Sequence, residues 1–263
     1  MLAGAMPGCS NYYGKSPHNL ARGWTNCWCQ LRTLPSRRIA LFNCTTHNAK
    51  ASRNALYNSA PSRARKFIYD GVPFGWEQIN QCYERDVARN VTETHLTIDA
   101  VCPDKWQKMN VSLCKRVFEY GTITEMMTHL ATELGCVGEL VRKKGESNYS
   151  VIDFYERQLP ILKEKVRERQ DCPLQIKQQL ACTEYCIHVG IIYNETLQNS
   201  NVNFTLENID AQEAKLREQL KYFHDWKIDG NSRKDMEGWD RWTIHRDTWL
   251  NMRMGVCGFL QYV

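Results

Sequence analysis

The sequence predicts a mainly helical fold, with a minor β component confined to its first part. Three observations carry this. After Gly75, apolar residues recur at three- and four-residue steps over several long stretches. Residues 1–69 are instead rich in Gly, Pro, Ser, Asn and Arg, with a single apolar run over 38–43. Twelve cysteines are dispersed through both regions, which predicts a disulfide-stabilised helical ectodomain. The expected parts are a basic, irregular, cysteine-containing segment with short strands over 1–72, a disulfide-bonded helical body over 73–230, and a Trp-rich amphipathic segment over 231–263.

The elements follow in order. The run Arg38-Ile-Ala-Leu-Phe-Asn43 reads as a short strand, held in a loop-rich segment by Cys9, Cys27, Cys29 and Cys44. Asp70-Gly-Val-Pro-Phe-Gly75 is turn chemistry and marks the boundary. Trp76 to Ala88 is a short helix. Leu113, Val117, Tyr120, Ile123, Met127, Leu130, Leu134 and Val137 define one face of a long amphipathic helix ending near Gly135. A second long helix spans Val151 to Arg169, with Ser150 at its N-cap and a kink expected at Pro160. A third runs from Leu174 to Ile191. A fourth starts at Thr205 and continues to Trp226, with Ile209, Leu216, Leu220 and Phe223 inward.

Composition excludes several classes. At 43% hydrophobic and 11% aromatic, the chain has enough apolar mass for a core and is not disordered as a whole. No run of about 18 apolar residues exists, so no helical membrane span is expected. The net charge of +5 hides a split: residues 1–69 carry ten Lys and Arg and no acid, whereas the rest holds 24 basic and 29 acidic residues. Such asymmetry speaks of partners rather than of fold.

Compartment is read from asparagine and cysteine. Asn-X-Ser/Thr sequons stand at Asn43, Asn90, Asn110, Asn148, Asn194 and Asn203. With 18 Asn in the chain, chance predicts about two. The excess points to an N-glycosylated surface, and Asn148, Asn194 and Asn203 fall in stretches expected to be loops between helices. The remaining cysteines, Cys82, Cys102, Cys114, Cys136, Cys172, Cys182, Cys186 and Cys257, complete an even set. Cys182 and Cys186 share one helix face, fit for bridges to neighbouring elements. Cys114 and Cys136, flanking the long helix, are natural partners. Neither Cys27-Trp-Cys29 with Cys44 and His47 nor Cys182 and Cys186 with His188 has a recognised zinc spacing, and no metal or cofactor is expected. The first residues lack the basic and apolar regions of a secretory signal, so an address is expected upstream, in a precursor or polyprotein.

Two segments are candidate contact sites. The basic cluster Arg63, Arg65 and Lys66, with the pair Arg37 and Arg38, is suited to sulfated glycans or anionic lipid headgroups; in a glycosylated compartment nucleic acid is not the expected partner. Trp239, Trp242, Trp249 and Met252 lie on a C-terminal amphipathic stripe. It reads either as a peripheral membrane contact or as a last helix packed on the core.

No reaction motif is present, and binding rather than catalysis is expected. The chain is read as a secreted or cell-surface glycoprotein that enters through the ER and binds a host, cell-surface or envelope protein. Its most specific version is a viral envelope subunit. The alternatives are a secreted helical binding protein and a secreted enzyme. For the enzyme, His224-Asp-Trp226-Lys-Ile-Asp-Gly230 resembles the second active-site box of T2-type ribonucleases, in which a carboxylate and a Trp follow one His and a second His precedes Gly. Asp229 occupies that second His position here, and the first box is missing, so the resemblance covers seven residues without the paired histidines of RNA cleavage. Cys186 with His188 is the other candidate, as a thiol nucleophile.

Overall fold

A computed structural model describes residues 28–31, 34–40, 44–60, 63, 65–89, 94–140, 151–197, 209–232 and 244–262. These residues are mostly helical. Strands β1 (Trp28–Leu31) and β2 (Leu34–Ala40) pair antiparallel, with a register irregularity between Gln30 and Leu31. Strands β3 (Phe67–Tyr69) and β4 (Val72–Phe74) form a second hairpin. Its turn residues Asp70 and Gly71 both have positive φ, 49° and 74°. Such a turn matches the right-handed twist of the flanking strands, and Asp and Gly tolerate it best.

The segment expected to be irregular differs from that expectation. It contains a thirteen-residue helix, α1 (Thr45–Tyr57), that belongs to the core. Its buried side is made of Asn48, Ala49, Ser52, Arg53, Ala55, Leu56 and Tyr57. A face built from small and polar residues carries no hydrophobic stripe, so apolar periodicity does not reveal it. The small side chains at Ala49 and Ser52 let α1 lie against helices α7 (Leu174–Leu197) and α9 (Arg246–Tyr262).

Helix α2 (Glu77–Arg89) falls where the sequence predicts one. The short helix α3 (Ile98–Val101) and a 3₁₀ turn at Gln107–Met109 lead into α4 (Val111–Val117). A second difference lies here. The long amphipathic helix is two helices, because the chain breaks at Phe118 and Glu119 before α5 (Tyr120–Leu134). Glu119 is extended, with φ −72° and ψ 153°. Thr122 Oγ1 donates 2.7 Å to the Arg116 carbonyl, satisfying one acceptor that the break frees. Apolar spacing persists across the break because both helices face the same core, so the pattern alone does not register it. At the other end Gly135, with φ 71°, closes α5 in the left-handed conformation.

Helix α6 (Val151–Glu168) runs through Pro160, which is exposed. Helix α7 is the hub: α1, α5, α6, α8 (Ile209–Ser232), α9 and β4 all pack on it. From Gln179 to Tyr193 its side chains are buried apart from partly buried His188, as expected for a helix enclosed on every side. Gly190 permits the closest approach. A Cβ there would stand 3.1 Å from both the Phe118 carbonyl oxygen and Ile123 Cδ1, so α7 presses on the break between α4 and α5.

One core cluster draws side chains from all three expected parts: Leu56 and Phe67, then Ile79 through Trp226, then Met252 and Val256. Its centre is aromatic. Phe67 and Trp226 meet edge to face at 5.0 Å, and Phe74, Tyr185 and Phe223 adjoin them. Burial of each such ring stabilises the fold by about 2–3 kcal/mol. Their polar tips find acceptors: Trp226 Nε1 donates to the Ile68 carbonyl at 2.6 Å, Trp76 Nε1 to Val101 at 2.8 Å, and Tyr185 Oη to Ser52 at 2.9 Å. No helix among the described residues is long and apolar enough to cross a membrane.

Candidate functional site

The basic cluster gains a partner in space that its sequence does not suggest. Arg63, exposed, lays its guanidinium 4.2 Å from the centre of the Tyr57 ring and donates 2.7 Å to the Tyr57 hydroxyl. Lys108, from the Gln107–Met109 turn, holds its ammonium 4.7 Å from the same ring. Both are cation–π contacts. They place the two cations within about 9 Å of each other on one edge of α1. Arg65 and Lys66 continue the chain toward β3, Lys66 exposed and Arg65 half-buried.

The loop that delivers Lys108 is fixed at several points. Asp104 and Gln107 cap one another: Gln107 N donates 2.7 Å to Asp104 Oδ1, and Asp104 N donates 2.8 Å to Gln107 Oε1. Arg53, fully buried on α1, donates through Nη2 to the carbonyls of Gln107 at 3.3 Å and Lys108 at 2.8 Å. Asn110 then caps α4, its Oδ1 accepting from Ser112 N at 2.9 Å and Leu113 N at 3.3 Å. Burial lowers the Arg53 guanidinium from its ordinary value, opposed by the neighbouring Cys114 and Tyr57.

Asn110 is exposed. Its cap uses only Oδ1, which leaves Nδ2, the atom that carries an N-linked sugar, outside the cap. Asn194, expected in a loop, lies instead on α7, which extends to Leu197. Asn43, Asn90, Asn148 and Asn203 lie outside the described residues.

Nine cysteines among the described residues form no disulfide with one another. Cys44 and Cys102 are exposed, whereas Cys82, Cys114, Cys136, Cys172, Cys182, Cys186 and Cys257 are buried. Cys82 on α2 and the two thiols of α7 are all fully buried; Cys182 and Cys186 contact each other, and Cys182 Sγ also donates to the Gly75 carbonyl at 3.5 Å. Burial pushes the Cys82 thiol up to about 12 and Cys182 well above its usual value. Cys114 is likewise raised to about 12 by burial, although Arg53 pulls the other way. Cys114 and Cys136, expected partners, are not bridged to each other. Cys29, Arg37 and Arg38 fall in β1 and β2, and Cys9 and Cys27 lie outside the described residues.

A polar junction joins α6, α7 and α8 around Glu184, which no sequence motif singles out. Lys163 Nζ is 2.8 Å from Glu184 Oε1, His188 Nε2 is 3.8 Å from the same oxygen, and His188 Nδ1 is 2.5 Å from Gln219 Oε1. The His188 ring stacks on Tyr222 at 4.0 Å. Burial would raise the Glu184 carboxyl, but the His188 and Lys163 partners outweigh it and hold it below its ordinary value. This is an interhelical lock whose charges are answered from within the chain. A Glu and a His four residues apart on one helix are its signal in sequence. Cys186 and His188, two residues apart on the same helix, point away from each other, so the thiol–imidazole pair has no geometry here.

In the ribonuclease-like box, the three residues whose side chains are described pack or pair within the fold. Trp226 is fully buried, Asp225 pairs with Lys221 at 3.3 Å, and His224 stacks on Trp249 at 6.0 Å. Met252, on the C-terminal stripe, is 2% exposed and receives the Ser52 hydroxyl at 3.5 Å, so it packs in the core rather than at an interface. Trp249 is half-buried against the same core, under Arg253 at 5.7 Å. Trp239 and Trp242 lie outside the described residues. Among the described residues, no group of three His, Cys, Asp or Glu is placed to hold a metal ion.

No family model, curated protein or solved structure matches the chain.

Proposed function

We propose that this chain is the helical, N-glycosylated, disulfide-stabilised ectodomain of a secreted or cell-surface protein whose role is to bind an extracellular partner. The observation that carries the reading is the number of sequons: six, where about two are expected from composition. The exposed Asn110, with Nδ2 outside its cap, supports it. So do Cys82 on α2 and Cys182 and Cys186 on α7, fully buried thiols on two helices that pack together. Thiols this deeply buried are slow to ionise, so any bridge they make has to form before the core closes, in a compartment where oxidation accompanies folding. The basic surface around Tyr57 supports binding as the role.

The test is expression of the full chain in mammalian cells, followed by intact mass under non-reducing conditions before and after glycosidase. The expected result is a mass loss at several sequons, Asn110 among them, and cysteines that resist alkylation until reduced. Bare asparagines with twelve free thiols overturn the reading.

A further inference from the structure

The most exposed large apolar side chain among those described is Trp106, at 85%. It sits on the loop that Asp104, Gln107, Arg53 and Asn110 hold in place, with Met109 57% exposed beside it. A large apolar ring kept in water on a loosely held loop needs no account. One kept there by a reciprocal cap, two carbonyls gripped by a buried guanidinium and a helix N-cap is presented. Presentation of this kind removes the ordering cost of binding in advance. Lys105 adjoins the indole in the chain, and Lys108 and Arg63 stand on Tyr57. The acid next to Lys105, Asp104, has its carboxylate engaged in the cap.

We propose that Trp106, Lys105, Lys108 and Arg63 form a binding site for a linear sulfated polysaccharide. An open indole face stacks on the C–H face of a sugar ring. The cations, Lys108 and Arg63 held within about 9 Å of each other, take successive sulfate groups. A flat anionic bilayer offers the same charge, but it has to lie against the whole surface around the loop, and the sequon residue Asn110 is four residues along the chain from Trp106, where a glycan would crowd a flat surface. A narrow polymer can approach beside it. The site deepens the glycoprotein reading by naming the partner class, and rests on it for the compartment where such polymers occur.

The experiment uses the full chain from mammalian cells, with heparin oligosaccharides as the probe, titrated over a range of NaCl concentrations. Wild type is expected to bind with an affinity that falls steeply with salt. Trp106→Ala should weaken binding about tenfold and leave the salt slope unchanged. Lys105→Gln with Lys108→Gln should weaken it by a similar factor and flatten the slope. Trp106 is exposed, so its variant keeps the wild-type thermal melt, and the same melt is the folding control for the lysine pair.

Heparin binding that ignores both variants overturns the site, as does binding insensitive to salt. Trp106-dependent binding to phosphatidylserine vesicles without heparin binding overturns it in favour of a bilayer. The two proposals fail separately. A chain with bare asparagines that still binds heparin through Trp106 removes the glycoprotein reading alone. A glycosylated, bridged chain indifferent to heparin removes this one alone.

Discussion

At the scale of single residues, the fold depends on a few close contacts that sequence spacing does not reveal. Gly75 is one. A Cβ there would stand 2.5 Å from the Ser59 carbonyl oxygen and 2.6 Å from its hydroxyl, and the carbonyl belongs to backbone that cannot turn aside. Gly75→Ala should therefore destabilise the chain by about 2–3 kcal/mol in urea unfolding at neutral pH; a change within error would show that the Ser59 turn yields freely. Glu184 is another. Its carboxyl is held below its ordinary value in the fold, so the unfolded chain binds a proton more readily than the folded one. That contribution to stability is complete above about pH 4.3, the unfolded carboxyl value, and is lost as pH falls through the depressed folded value. Lys163, half-exposed, supplies one of the partners. Lys163→Met should cost about 1 kcal/mol at pH 7, small because solvent screens the pair, and less at pH 3. An equal cost at both pH values would place the loss in packing instead. Of these residues only Gly75 stands out in the sequence, as turn chemistry, because a glycine's neighbours and a carboxylate's partners come from distant segments.

At the scale of elements, legibility follows the kind of face each helix buries. Helix α2, the C-terminal end of α5 and both ends of α6 lie close to where periodicity and capping residues place them, since their signals are local. Helix α1 is hidden because Ala49, Ser52 and Arg53 serve as a core stripe without being large apolar residues. The division between α4 and α5 is hidden because the apolar spacing continues through it. The thiols on α2 and α7 give a prediction at this scale. In reduced protein, Cys44 and Cys102 should be alkylated within minutes at pH 8. Cys82, Cys182 and Cys186, fully buried, should react only on unfolding. Mass spectrometry after a timed pulse measures this, and prompt labelling of Cys182 would mean that α7 is not enclosed as described.

At the scale of the whole molecule, α9 decides how the C-terminal stripe is to be understood. Met252 and Val256 are buried, and Asn48 Nδ2 donates 3.0 Å to the Asn251 carbonyl, tying α9 to α1. Truncation after Asp235 should thus abolish cooperative thermal unfolding; a shortened chain that melts like the full one would return the stripe to the solvent or a membrane. By itself, the sequence determined the helical class, most helix positions, the Asp70–Gly71 turn and the dispersal of sequons and cysteines, because each of these is written in local spacing or in composition. Only the tertiary structure decided that α1 joins the core, that α7 is its hub, that Cys82, Cys182 and Cys186 are all sealed inside it, and that Lys108 shares Tyr57 with Arg63. Those are contacts between segments far apart in the chain, and the way the helices pack, rather than any single stretch, selects them.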